Sequence, residues 1–211
     1  MFYWFIRTVA VILFKVYFRI QVSGRENIPA TGGFILAANH ASYLDPPLVA
    51  VASPRQLSFL AMEQLFKIPL FGPFIRALNA VPLNTKGVDT QTIRWAVQVL
   101  RQGKVITIFP EGSRTPDGKL LKPQAGVGFL AVKTKAPIVP VYIDGSFRAM
   151  PMHSKMIWPK KITIYIGPQI RTGDLNASLS HREVYAQIAE KTMQEIKNLK
   201  ERLVKLNVRQ N

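Results

Sequence analysis

Two short segments of the chain carry residue types suited to chemistry, and they stand about seventy residues apart. The first is Asn39-His40-Ala41-Ser42-Tyr43-Leu44-Asp45; the second is Phe109-Pro110-Glu111-Gly112-Ser113-Arg114-Thr115. A neutral histidine, with an unperturbed pKa of ~6.5, is a suitable base near neutral pH. A carboxylate beside it can fix the imidazole tautomer and stabilise the imidazolium, so His40 and Asp45 make a base and its orienting group. The chain has no cysteine and no Gly-x-Ser-x-Gly elbow. Without such a nucleophile, the base would act directly on an acceptor hydroxyl; Ser42 and Ser113 stay open as remote nucleophile candidates. In the second segment, Arg114 can grip a phosphate bidentately, and backbone N–H groups around Gly112 can approach it closely. Glu111 suits orienting Arg114, binding a hydroxyl or bracing the loop. Joined in one site, the two segments suggest acyl transfer onto a phosphorylated alcohol.

Each segment taken alone has a plainer reading. Asp45-Pro46 also describes a helix N-cap followed by proline at the first helical position. The two roles are compatible, since one carboxylate oxygen can cap while the other faces His40. A single histidine is more often structural than catalytic. Residues 111–118 end in Pro116-Asp117-Gly118 and also describe a polar turn. The joint occurrence, order and spacing of the two segments carry the specificity.

Elements placed before and between the segments must position them. Apolar runs rich in β-branched residues occur at 34–38, 57–61, 80–83, 105–109, 138–143 and 162–166. Several are continuous rather than alternating, as in strands buried on both faces. Helical patterns lie between them. One starts at an N-cap Asp89, carries Ile93, Ala96, Val97 and Leu100 on one face and stops at Gly103. Another spans about 124–134. Strands alternating with helices indicate an α/β domain with a mixed, largely parallel sheet. In such sheets ligands gather beyond the carboxyl ends of the strands, where both segments would lie.

The termini differ from the body. Residues 1–20 form a helical pattern with Arg7, Thr8, Lys15 and Arg19 on one ~120° arc and apolar residues over the rest. The longest uncharged stretch, Thr8 to Phe14, is seven residues, far short of the ~20 a spanning helix needs. The pattern suits a helix lying in a membrane interface; the alternative is a first helix packed on the protein's own core. At the other end, Ser180 and Glu183 form a capping box, with Leu179 and Val184 as its hydrophobic staple. The helix that follows is expected to dock on the domain. The expected division is 1–22 interfacial helix, 23–179 catalytic domain and 180–211 C-terminal helix. The net charge of +16 suits an anionic membrane or nucleic acid. Basic residues are spread along the chain instead of gathering on one recognition element, so nucleic acid is not the expected partner. Three separated histidines give no metal-ligand pattern.

These motifs resemble those of the glycerolipid acyltransferase family over about residues 24–167. The family's His-x4-Asp block matches His40 and Asp45, its Phe-Pro-Glu-Gly-(Thr/Ser)-Arg block matches Phe109–Arg114, and its Pro-Val block matches Val139-Pro140-Val141. A further block departs: Asn79 stands where glycine is usual and Thr85 where arginine is usual, with Lys86 next to it. Met62 stands where relatives often carry lysine. The resemblance implies an αβα acyltransferase domain peripheral to the cytoplasmic face of the cell membrane. In it, His40 deprotonates the acceptor and Asp45 holds His40. The expected substrate-binding set is Asn39, Lys86, Glu111, Gly112, Ser113 and Arg114. The implied reaction moves an acyl group from acyl-CoA or acyl carrier protein, without a cofactor or metal, to the sn-2 hydroxyl of 1-acyl-glycerol 3-phosphate, giving phosphatidic acid. Glycerol 3-phosphate or another lysolipid is the alternative acceptor. A non-catalytic basic protein that binds membrane surfaces or nucleic acid is the alternative of a different kind.

Overall fold

The structure is a computed structural model that describes residues 1–83, 90–172 and 180–208, with side chains to Leu203 in the last segment. Among the described residues, seven strands form one sheet: β1 (Gln21–Ser23), β2 (Phe34–Ala38), β3 (Leu57–Met62), β4 (Ala80–Leu83), β5 (Val105–Ile108), β6 (Ile138–Asp144) and β7 (Thr163–Ile166). Their order is β1-β7-β6-β2-β5-β3-β4, and every pairing is parallel except the antiparallel β6–β7. The mixed, largely parallel α/β sheet expected from the sequence is therefore present. Among the described residues, seven α-helices accompany it: α1 (Phe2–Tyr17), α2 (Asp45–Ala52), α3 (Phe71–Ala77), α4 (Thr90–Arg101), α5 (Gly126–Thr134), α6 (Ser146–Ala149) and α7 (His181–Val208).

The central strand shows why its sequence is a continuous apolar run. Phe34, Leu36 and Ala38 of β2 face one core cluster, in which Leu44, Leu48, Val49 and Ala52 also lie, and Ile35 and Ala37 face a second. The second cluster is closed by Ala96, Val99 and Leu100 of α4, Val127, Leu130 and Ala131 of α5, and Val184, Ile188 and Ala189 of α7. All five β2 residues are buried, so neither face has a polar position to alternate with. Further along α7, Met193, Ile196, Leu199 and Leu203 pack with Tyr142 of β6. At Gly128 the α5 backbone meets α7 directly: a Cβ there would stand 2.0 Å from the Tyr185 carbonyl oxygen.

Parallel pairing brings the two chemical segments together. β2 and β5 are neighbours, with Ala37 opposite Ile108, so the loops leaving their carboxyl ends emerge side by side. The run expected to end at Phe109 ends at Ile108, because Phe109 turns away to stack on His40.

Other local expectations meet the structure in detail. The capping box forms, with Glu183 Oε2 accepting from the Ser180 backbone N–H and hydroxyl, at 2.9 and 2.7 Å. Its expected staple partner Leu179, and the N-cap Asp89, lie outside the described residues. Asn79 holds φ +64, a left-handed conformation that asparagine tolerates better than most residues. That explains how it stands where glycine is usual. Met62 ends β3 with its side chain exposed.

Helix α1 packs one side on the domain and leaves an apolar side exposed. Tyr3 is buried, its hydroxyl accepting from the Leu57 N–H at 3.1 Å. Arg7 donates to the carbonyls of Ala50, Val51 and Ser53, at the end of α2. Burial holds the Arg7 guanidinium below its ordinary pKa. Arg7 thus faces the protein instead of the outward cationic stripe. Phe2, Phe5, Val9, Ile12, Leu13 and Val16 remain exposed on another face. Among the described residues, no helix is long and apolar enough to cross a membrane.

Candidate active site

The turn from β2 into α2 is organised around one carboxylate. Asp45 is fully buried, and its Oδ2 accepts from the backbone N–H groups of Ala41 (2.6 Å) and Ser42 (2.7 Å). The same oxygen lies 2.9 Å from His40 Nδ1. Oδ1 has no hydrogen-bond partner among the described residues. This corrects the N-cap expectation: Leu44 occupies the cap position and Asp45 is the first helical residue. Its carboxylate turns back onto the loop instead of capping forward. Because an ionised carboxylate only accepts, Nδ1 carries the imidazole proton and Nε2 is left with its lone pair. The His40 side chain is 18 % exposed. Phe109 stacks on its ring, at 4.1 Å between centroids and 19° between planes.

The second loop holds the histidine by its backbone. Glu111 Oε1 accepts from the His40 N–H at 2.7 Å and Oε2 from the Leu121 N–H at 2.7 Å. The Thr115 N–H donates to the His40 carbonyl at 2.9 Å. Both sides of the His40 peptide are thereby fixed from residues 71 and 75 positions later. Glu111 is 4 % exposed; burial raises its pKa above the ordinary carboxylate range, against the opposing pull of its two backbone donors. Gly112 allows the loop its tight turn: it sits at φ +72, and a Cβ would stand 3.0 Å from Gln124 Cγ.

Arg114 lies on the open side. Its guanidinium carbon is 3.4 Å from the Tyr43 ring centroid, a cation–π stack. Its Nη1 donates to the Met152 carbonyl at 3.3 Å. It forms no ion pair among the described residues, so most of its donors stay free for an anion. Beside Phe109 opens a cavity of about 500 Å³ lined by Leu60, Leu83, Ile93, Ile108, Phe129 and Leu130, among others. Pro110 and Gly112 form part of its wall.

Several expected substrate contacts fall elsewhere. Asn39 is buried, with its amide donating to the Ile143 carbonyl (3.1 Å) and accepting from the Ile143 N–H (2.7 Å). It ties the end of β2 to β6. Both Glu111 oxygens accept from backbone N–H groups, so it braces the loop, and it forms no ion pair with Arg114 among the described residues. Ser42 is fully buried, and its hydroxyl donates to the Met150 carbonyl at 2.8 Å, which removes it as a nucleophile. Ser113 and Gly112 are exposed. Lys86 and Thr85 lie outside the described residues. Sequence reasoning assigned no role to Tyr43 or Phe109, though both stood within the quoted motifs. The available signal was an aromatic residue inside each motif.

A family model described as acyltransferase matches residues 19–144, which include both loops and the three central strands. The chain belongs to the acyltransferase family. Among this family's characterised members, the chain is similar to the 1-acyl-sn-glycerol-3-phosphate acyltransferase of Bacillus subtilis, 30% identical over 89% of this chain and 91% of that protein. It is also similar to the enzyme of that name from Streptococcus pneumoniae, 28% identical over 83% of this chain and 65% of that protein. The crystal structure of the 1-acyl-sn-glycerophosphate acyltransferase from Thermotoga maritima aligns with a TM-score of 0.73 and 30% identity, covering 92% of this chain and 81% of that one. The acyltransferase fold thus places His40 and Arg114 on adjacent loops of its sheet.

Proposed function

We propose that this acyltransferase moves a fatty acyl group from an acyl thioester to the sn-2 hydroxyl of 1-acyl-glycerol 3-phosphate, giving phosphatidic acid. The observation that carries the reading is the juxtaposition of a His40 Nε2 without a hydrogen-bond partner among the described residues, an Arg114 that forms no ion pair there, and an apolar cavity. Asp45 holds Nδ1–H, so Nε2 takes the proton from the acceptor hydroxyl. The oxygen attacks the thioester carbonyl, the tetrahedral intermediate collapses, and the C–S bond breaks. The leaving sulfur then takes the proton from His40. Arg114 holds the acceptor phosphate against the loop, and the cavity beside Phe109 takes an acyl chain. The relatives named above, which share most of the chain's length, support the acceptor assignment.

The donor is acyl-CoA or acyl carrier protein, and both carry the negative charge that a +16 protein attracts. Helix α1 lies in the interface of an anionic membrane on its cytoplasmic face. Its docked side, with Tyr3 and Arg7, leaves the Phe2, Phe5, Val9, Ile12, Leu13 and Val16 face for lipid.

One assay tests the reading: purified protein with 1-acyl-glycerol 3-phosphate or glycerol 3-phosphate, each against acyl-CoA and acyl carrier protein donors. Phosphatidic acid is the expected product, and His40→Ala is expected to lower its rate at least ~10²-fold with the fold intact. Near-normal turnover in that variant sinks the mechanism; turnover confined to glycerol 3-phosphate replaces the acceptor.

A further inference from the structure

The apolar face of α1 does not end with the helix. At its first turn, Phe2 meets Phe74 of α3 edge to face, at 6.4 Å between centroids. At its last turn, the Tyr17 hydroxyl donates to the Ile157 carbonyl at 2.8 Å. Both neighbours present exposed apolar side chains of their own: Ile68, Leu70, Phe71 and Phe74 at one end, and Met156, Ile157 and Trp158 at the other.

The first of these segments is held outward at a cost. Leu70 has φ +64 and ψ −43, and the Phe71 N–H donates back to the Pro69 carbonyl at 2.7 Å. That is a γ-turn of the strained hand. It leaves a leucine side chain 89 % exposed, with no packing in return. Strain of this kind persists where the surrounding structure fixes it, and it gathers at functional sites.

The second segment leads into the active site. The stretch 150–158 begins where Met150 accepts from Ser42 and Met152 accepts from Arg114. It ends at Trp158, whose N–H donates to the Ala149 carbonyl at 2.8 Å. One loop therefore runs from the arginine assigned to phosphate to the end of the α1 apolar face.

Charge decides which partner covers this surface. None of the chain's 12 Asp and Glu falls within residues 1–25, 64–83 or 145–173. Those three stretches carry Lys15, Arg19, Lys155, Lys160 and Lys161, all exposed, besides Lys67, which pairs with Glu63. A second copy of the chain would bring cation to cation, whereas an anionic bilayer supplies both the apolar interior and the counter-charge. Tyr and Trp suit the boundary between the two.

We propose that the segments 68–74 and 156–158 enter the same lipid surface as α1, so that the chain docks on three points. The 150–158 loop then joins that surface to the phosphate site. The proposal rests on the membrane reading of α1.

The test uses full-length protein carrying Trp4→Phe and Trp95→Phe, leaving Trp158 as the reporter, with phosphatidylglycerol vesicles that contain or lack brominated acyl chains. Co-sedimentation reports binding, and Trp158 emission reports insertion. A blue shift with quenching by the brominated chains is expected. In the otherwise native chain, Leu70→Ser with Ile157→Ser is expected to weaken vesicle partitioning roughly tenfold. Protein that sediments with vesicles while Trp158 stays water-exposed, or that binds equally well with both serines, overturns the three-point proposal and leaves the α1 reading standing. Failure to bind at all removes both. A blue shift that appears without lipid as the protein is concentrated, together with a dimer in light scattering, assigns the surface to a second copy and overturns the proposal.

Discussion

At the scale of single residues, the site is built from groups that hold other groups. Arg114 owes its position to the face of Tyr43 and one carbonyl, not to a carboxylate. An acidic partner would have neutralised the charge that a phosphate needs, whereas an aromatic face leaves it intact. Tyr43→Ala is therefore expected to raise the acceptor KM several-fold with a smaller effect on the donor KM. Tyr43→Phe, which keeps the π face, is expected to restore the wild-type value; steady-state kinetics with each substrate varied in turn checks both. Glu111 makes a second case. Replacing it with glutamine turns an NH2 group toward one of two backbone N–H donors, which is expected to cost about 1–3 kcal/mol in urea unfolding. The pH dependence follows from the raised pKa. A carboxyl raised on folding contributes stability that is present at low pH and lost as the pH climbs through the folded-state value. The gap between wild type and Glu111→Gln should accordingly widen as the pH falls from neutrality into the carboxylate range.

At the scale of elements, the sequence was legible where burial is uniform. The limits of β2 match its apolar run, because a strand covered on both faces cannot hide a polar position. Three-residue β1 carries too little pattern to register, and α2 is disguised by Pro46 and Pro47 in its first turn. Asn39 misled for a different reason. It adjoins His40 in the chain, yet its amide bonds with Ile143, 104 residues on, a pairing that only the sheet creates. Tyr43 and Arg114 are likewise neighbours through β2–β5 pairing alone. Asn79 shows local conformation overriding residue type. With φ fixed at +64, Asn79→Gly should stay within about 1 kcal/mol of wild type. Asn79→Val should lose about 1–3 kcal/mol, because a β-branched residue resists that region; thermal unfolding of the pair separates the cases.

At the scale of the whole molecule, charge and fold act on different steps. The +16 net charge says nothing about which strands pair, but it governs how the protein meets an anionic surface. Binding to phosphatidylglycerol vesicles should weaken steadily as salt rises from about 0.05 to 0.5 M, since the Debye length falls well below 10 Å over that range. Residual binding at high salt measures the apolar share of the contact. Vesicle sedimentation across a salt series reads both quantities.

The strand at the centre of the sheet also sets a problem in time. β2 is synthesised early, but its two neighbours, β5 and β6, begin about 70 and 100 residues later. At ~5–20 residues per second, the ribosome takes roughly 4–14 s to reach β5. For that interval Phe34-Ile35-Leu36-Ala37-Ala38 has two bare edges and two uncovered faces, the features that favour aggregation. The arrangement that brings His40 beside Glu111 thus leaves the most central strand waiting for both of its partners, and the nascent chain depends on protection there.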